Sequence, residues 1–470
     1  MMPTWNVTDI VQHTQGTLLW GDAQRQVRGV STDSRTVPAG ALFIALRGER
    51  FDGHQFVGTA LQQGAAAVLV ADRQSVETVP MCARSSAGIL VTDTEQALQD
   101  LARAQRQQFT GTVIGITGSN GKTSVKEMTA AVLQQHYVTW KAAGNLNNHI
   151  GVPLTLLQLE ATHQVAVLEM GMNHLGEIRH LCAIARPNIG VLTNIGLAHV
   201  GYLGSIERIQ QAKGELIESL DATSVAIVNA DDPRTLALGQ QAAGRLLTFG
   251  QGPEADIRGW LREDRGLDGL ACTLMLDGMA CEVLLPVLGA HQLSNALAAA
   301  AVGVALHVPA PAIVAGLQSY RGMYGRMMVK RGQHGVTLLD DTYNASPQST
   351  QAALQCLAQT QSPGRRVAVL GDMLELGEQG PSLHTAIGAL VAHSGVHYLI
   401  TFGALAQHIA QGARNAGMAA ACIHSTTQSD EAITLLTALQ QPGDVILLKG
   451  SRGMAMERLV HALAAHEGSS

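Results

Sequence analysis

A chain of 470 residues is too long for one ordinary hydrophobic core, and about three domains are expected. With 46% hydrophobic, 14% charged and only 3% aromatic residues, it reads as a folded α/β chain whose core is built from Ala, Val, Leu and Ile. A net charge of −6 without a basic stripe excludes a nucleic-acid partner, and no run nears the roughly 20 apolar residues of a transmembrane segment.

Residues 1 to about 90 read as a small α/β unit. MMPTWNVTDIVQHTQG lacks a basic region followed by an apolar core and is not read as a signal peptide. Thr8 or Asp9 is the expected cap of a first helix. VRGVSTDSR and ALFIAL are expected strands, HQFVGTALQQGA a helix, and AAVLVA and GILVT strands. Ser31, Thr32, Asp33, Ser34 and Arg35 form a dense polar cluster after a strand. Taken alone it is a solvated turn, but strand-end hydroxyls with Asp and Arg also suit a nucleotide-sugar ligand. Asp52-Gly53-His54 is a second turn of the same kind. Six cysteines without a C-x-x-C pair read as reduced thiols, which places the protein in the cytoplasm.

A helix from Thr94 to about Gln108 leads into VIGITGSNGKTSVKEM, residues 113–128. The β-branched run is an expected buried strand, and Thr123 to Gln135 is an expected helix. The glycines are Gly115, Gly118 and Gly121, whereas G-x-x-x-x-G-K-[ST] would need glycine where this chain has Ile116. The displaced loop still has the parts of a phosphate cradle: backbone amides of Gly118–Ser124, a helix N-terminus, the Lys122 ammonium and the Thr123 hydroxyl. A lysine where a helix begins opposes the helix dipole, and a bound phosphate explains it.

QVAVLEMG then reads as a strand that ends in Glu169, a position suited to a Mg²⁺ ligand. NIGVLTNIG is a strand that delivers His199, and SIERIQQAKGELIESL is a helix that carries Lys213. Neither residue stands out by spacing: a lone histidine is usually structural and a lone helical lysine usually solvated. SVAIVNADDPR is a further strand, and residues 270–288 alternate around Asp277-Gly278 as a hairpin. His291-Gln292-Leu293-Ser294-Asn295 opens an Ala-rich helix.

From Met323 five short strands alternate with helices, the pattern of a doubly wound, Rossmann-like parallel sheet. No G-x-G-x-x-G supports dinucleotide binding. Polar groups gather after three strands: Asp340, Asp341 and Asn344; Asp372 and Glu375; Lys449, Ser451 and Arg452.

TGSNGKTS, GNLNNHIGVP, LEMGMNHLGEI, AKGE, LLDDTYNASP, LGDMLELGE and LLKGSRG together resemble the Mur ligases, the ATP-dependent amide-bond-forming enzymes of peptidoglycan synthesis. The resemblance spans nearly the whole chain and implies three α/β domains. These are a UDP-sugar-peptide-binding domain at 1–90, a central P-loop ATPase-like domain at 91–321 and a C-terminal domain at 322–470 that closes on ATP. It implies ligation of D-alanyl-D-alanine to a UDP-N-acetylmuramoyl-tripeptide by a monomer that uses ATP and two Mg²⁺ ions.

By resemblance, Lys122 would hold the β- and γ-phosphates, with Gly118, Ser119, Asn120, Gly121, Thr123 and Ser124 around them. Thr123 and Glu169 would take the first Mg²⁺ and His199 the second, while Lys213 would be carbamylated. His291 and Asn295 would meet adenine, and Arg326 with Asp341 would reach ATP from the C-terminal domain. Ser31, Asp33, Ser34 and Arg35 match the UDP-binding region. Asn145, Asn147, Asn148, Asn344, Glu375, Leu376, Lys449 and Arg452 lie in segments assigned to the peptide substrates. Tyr324-Gly325-Arg326 departs from the Pro-Gly-Arg of many relatives but keeps the arginine.

Three alternatives share parts of this pattern. The ligase adding the third residue carries an Asp-Asn-Pro-Arg motif that is absent here, and folylpolyglutamate ligases lack the N-terminal module. A non-catalytic P-loop switch would not need Glu169, His199 and Lys213 together.

Overall fold

The structure is a computed structural model that describes residues 4–48, 51–77 and 86–465. It contains three larger sheets and a two-stranded ribbon. In the first sheet, Val30–Ser31, Leu42–Ile44, Ala67–Val70 and Ala87–Leu90 run parallel, and Thr17–Trp20 closes the edge antiparallel. The expected strand VRGVSTDSR is broken at Gly29 (φ 77°): Gln26–Arg28 pairs with Thr4–Asn6, and only Val30–Ser31 joins the larger sheet. Asn6, rather than Thr8 or Asp9, caps the first helix, Val7–Thr14. Its side chain accepts from the Asp9 amide (2.7 Å), and Asp9 accepts from the Asn6 amide (3.1 Å), a reciprocal box that starts the helix earlier.

The helix Thr94–Gln108 packs both on the first helix and on Gly151–Leu156 and Glu177–Ala185, tying the first sheet's unit to the next. That next unit is a nine-stranded sheet with the phosphate-loop strand, Thr112–Thr117, between Val165–Glu169 and Ile189–Leu192. Glu169 is level with Ile116, and Leu192 with Thr117, so three parallel strands end side by side. Whatever follows each strand therefore meets at one place.

Thr139–Lys141, Arg245–Gly250 and Ile257–Asp264 are further strands of this sheet that the hydrophobic pattern did not single out. The first is short and the last carries charges on a ribbon shared with the Leu270–Leu276/Met279–Leu285 hairpin. The hairpin turns at Asp277 (φ 51°) and Gly278 (φ 77°), as the Asp-Gly pair requires.

The helix His291–Ala305 lies against the phosphate-loop helix, Lys122–Leu133. Its buried face is mostly alanine, from Ala296 to Ala301, and such small side chains let two backbones approach closely. In the C-terminal unit the five expected strands, Thr337–Asp341, Val445–Lys449, Arg366–Gly371, Tyr398–Phe402 and Ile423–Thr426, form a parallel sheet. A sixth, the charged Met328–Arg331, adds an antiparallel edge. Of the cysteines, Cys182, Cys272 and Cys356 are buried free thiols, Cys281 and Cys422 are partly exposed ones, and Cys82 lies outside the described residues. No helix among the described residues is long and apolar enough to cross a membrane.

Candidate active site

The Gly118–Ser124 loop, the expected phosphate cradle, is shaped by contacts that leave no room for side chains at its glycines. Gly118 (φ 148°) and Gly121 (φ 84°) adopt backbone angles that L-residues rarely take. A Cβ on Gly118 would collide with Thr193 Oγ1, and one on Gly121 with Asn295 Oδ1. From the segment that follows the adjacent strand, Asn194 accepts the Asn120 amide on Oδ1 (2.9 Å) and the Ser119 amide on its carbonyl (2.9 Å). Thr193 Oγ1 donates to the Asn120 carbonyl (2.6 Å). The first intrahelical bond runs from Val125 N–H to Gly121 O (2.8 Å), so the amides before it need acceptors from outside the helix.

Lys122 donates to the Gly118 carbonyl at 2.7 Å, and burial pulls its pKa below the usual lysine value. Lys213 is 1% exposed and donates to the same carbonyl at 2.9 Å. Desolvation, and then the Lys122 ammonium, push its pKa well below the lysine range. Glu169, also buried, accepts from Thr123 Oγ1 on one oxygen (2.8 Å) and from Asn147 Nδ2 on the other (2.8 Å).

The C-terminal unit closes over this loop. Arg326 stacks on the Tyr343 ring (4.0 Å to the centroid) and reaches Thr123 Oγ1 (3.3 Å), while its Nε is buried without a partner among the described residues. Ser346 Oγ donates to Asn120 Oδ1 (3.1 Å). Glu375 accepts the Gly201 amide on its carbonyl (2.8 Å) and places Oε2 2.7 Å from His199 Nδ1. That imidazole, more than the opposing effect of burial, holds the Glu375 carboxyl below its ordinary value. Lys449 is buried and pairs with Asp341 (2.6 Å), whose other oxygen accepts the Met327 amide (3.1 Å).

Two cavities meet at this closure. One, of about 410 Å³, is lined by Ser119–Ser124, His291, Asn295, Arg326, Asp341, Asn344, Glu375, Leu376 and Lys449. The other, of about 610 Å³, is lined by Asn145, Asn147, Asn148, Glu169 and Arg452. Lys122, His199, Arg326 and Asn344 face both.

Known proteins share this arrangement. Residues 26–106 match the Mur ligase family catalytic domain, 116–303 the Mur ligase middle domain, and 325–452 the Mur ligase glutamate ligase domain. A UDP-N-acetylmuramoyl-tripeptide–D-alanyl-D-alanine ligase of Bacillus subtilis (strain 168) is 38% identical over 461 residues, 97% of this chain and 98% of that protein. The chain belongs to the Mur ligase family. The crystal structure of MurF from Acinetobacter baumannii is similar to it, with a TM-score of 0.86 at 33% identity, covering 98% of each chain. MurF ligase from Thermotoga maritima in complex with ADP is similar with a TM-score of 0.79 at 30% identity, covering 93% of this chain and 97% of that one.

In this Mur ligase the cavity at the loop gathers the residues expected at the nucleotide with Glu375, Leu376 and Lys449, expected at the peptides; Asn145, Asn147, Asn148 and Arg452 line the adjoining cavity, and Asn344 faces both. Lys213 and Gly118 line neither cavity: Lys213 is buried against the Gly118 carbonyl. The Ser31–Arg35 cluster lines neither cavity: Asp33 and Arg35 pair with each other (2.7 Å), holding the Asp33 carboxyl down at about 2.

Thr193, Asn194, Tyr343 and Ser346 were missed. Their signal was present in the polar exits of NIGVLTNIG and VTLLDDTYNASP, but only strand order shows that those exits face the loop.

Proposed function

We propose that this Mur ligase joins D-alanyl-D-alanine to a UDP-N-acetylmuramoyl-tripeptide at the expense of ATP, a step of peptidoglycan synthesis. The observation that carries the proposal is the wall of Lys122, His199, Arg326 and Asn344 shared by the two cavities. A nucleotide in the cavity at the loop and a carboxylate in the other would meet at that wall, and the γ-phosphoryl group passes across it.

A carboxylate does not acylate an amine in water because its oxygen is a poor leaving group. Transfer of the γ-phosphoryl group breaks its bond to ADP and makes an acyl phosphate on the tripeptide. The dipeptide amine attacks that carbonyl carbon, and the tetrahedral intermediate expels phosphate as the amide forms. Lys122 and Arg326 offset charge on the transferring group, and the unpartnered Arg326 Nε supplies a donor for it. Glu375, Ser346 and Arg326 hold the C-terminal unit down, which keeps water from the acyl phosphate.

Thr123 and Glu169 present hard oxygens beside the loop, the donor set that suits Mg²⁺ shared with phosphates. No group of three or more His, Cys, Asp or Glu residues that could hold a metal ion occurs among the described residues, and a phosphate-borne Mg²⁺ does not need one. Bound there, Mg²⁺ would supply charge neutralisation at the transferring phosphate. His199 faces the same wall, and a carbamate on Lys213 would turn its cation into an anion. Residues 1–90 hold the UDP moiety, 91–321 the nucleotide, and 322–470 the dipeptide; the chain acts as a cytoplasmic monomer.

The test is phosphate release. It should require UDP-muramoyl-tripeptide and D-alanyl-D-alanine together, and release with ATP alone would overturn the reading.

A further inference from the structure

Helix Lys122–Leu133 buries a second lysine that the chemistry above does not use. Lys126 is 0% exposed, and its ammonium donates to the Ala142 carbonyl (2.8 Å) and the Gly144 carbonyl (2.7 Å), with Glu127 Oε1 at 3.2 Å. Two carbonyls take two of its three N–H groups and the Glu127 carboxylate lies beside it, and with no exposed surface the ammonium cannot touch a ligand. All of its bonding goes to the strand of chain entering the Asn145–Asn148 loop and to its own helix.

That loop ends at the proposed cation site. Asn147 donates to Glu169 Oε1 (2.8 Å), and its carbonyl accepts the Gly171 amide (2.8 Å). The fit is close: a Cβ on Gly171 would press on the Asn147 amide at 3.0 Å. The other Glu169 oxygen is held by Thr123, one turn before Lys126 on the same helix face. One helix thus fixes both sides of the carboxylate, directly through Thr123 and through the loop by way of Lys126. Glu127 reinforces the tie from the next position by pairing with Lys141, at the end of the strand that leads into the loop.

We propose that Lys126 is a positioning residue for cation binding: it pins residues 142–144 so that Asn147 sets the orientation of Glu169. This rests on the reading of Glu169 as a Mg²⁺ ligand. Partners that orient a metal ligand typically change metal affinity by about 10–100-fold when removed.

The test uses Lys126→Met, which keeps the apolar stem and deletes the donors, with Asn147→Ala and Glu169→Gln alongside. Mn²⁺ affinity of the enzyme–ADP complex is measured by electron paramagnetic resonance, ADP affinity by calorimetry, and the loop amides by hydrogen exchange. In Lys126→Met, Mn²⁺ should bind about 10-fold or more weaker. ADP affinity should stay within about threefold, and exchange should accelerate at residues 143–148. Wild-type Mn²⁺ affinity in folded Lys126→Met, or unchanged loop exchange, overturns the proposal. If Lys126→Met does not fold, Asn147→Ala decides: weakened Mn²⁺ binding supports the role and unchanged binding overturns it. Wild-type Mn²⁺ binding in Glu169→Gln would instead refute Glu169 as a ligand, a separate failure.

Discussion

Lys213 offers the sharpest test, because a structural lysine and a carbamylated one respond oppositely to the same substitutions. Its ammonium and that of Lys122 bond one carbonyl at 2.9 and 2.7 Å, so the two nitrogens cannot be farther apart than those bonds laid end to end. Two cations at about 5.6 Å repel by on the order of 3 kcal/mol at an effective dielectric near 20. Burial adds to this, and both effects favour a neutral Lys213 amine, the form that combines with CO₂.

The linkage has a definite sign. Between its lowered folded value and the ordinary lysine value, Lys213 binds a proton only in the unfolded chain, so stability rises with pH through that window. At neutral pH the buried amine therefore costs stability, and Lys213→Met should melt no lower than wild type, since Lys122 still satisfies the Gly118 carbonyl. Its turnover should nonetheless fall by about 100-fold or more, the scale of losing a group that stabilises developing charge. Phosphate release and differential scanning calorimetry on the same samples read the two effects. Lys213→Arg, which keeps the positive charge and cannot form a carbamate, should be equally inactive. Lys213→Ala should regain part of its activity with a small carboxylic acid in the vacated space. Full activity in Lys213→Arg, or a large loss of stability with proportionate loss of activity in Lys213→Met, would make Lys213 a structural strut.

Lys122→Ala should fold normally and lose several orders of magnitude in ligation rate; near-normal turnover would refute the phosphate-loop assignment. Arg35→Ala or Ser31→Ala should raise the KM for the UDP-tripeptide and leave that for ATP unchanged, and equal effects on both would point to misfolding. Glu375→Gln removes the carboxylate from the His199 contact, so small-angle scattering should show a more extended particle. The wild-type contact should loosen likewise as pH falls through the lowered Glu375 value, since its contribution is present only while the carboxylate is ionised. A compact Glu375→Gln particle would refute the latch.

Local chemistry makes much of this protein legible in its sequence. Apolar strands followed by polar exits marked the sheets, and Gly118, Gly121, Lys122 and Thr123 pointed to a tight turn at a helix start, because a phosphate cradle would restrict backbone and charge within a few residues. The Asp277-Gly278 hairpin was as plain, since positive φ at two successive residues demands such a pair. What stayed hidden depends on distant partners. The cap at Asn6 and the charged edge strands need knowledge of neighbours that hydrophobic period does not carry. Lys126 and Lys213 resemble solvated lysines on their helices, and only packing shows them buried with backbone carbonyls as acceptors. Strand order and register alone bring Thr117, Glu169 and Thr193 to one line, and only the docking of the C-terminal unit sets Glu375 on His199 and Arg326 on Thr123. Sequence spacing specifies groups that act within a turn or two, whereas side chains that meet across 170 residues or more, as His199 and Glu375 do, are decided by tertiary structure.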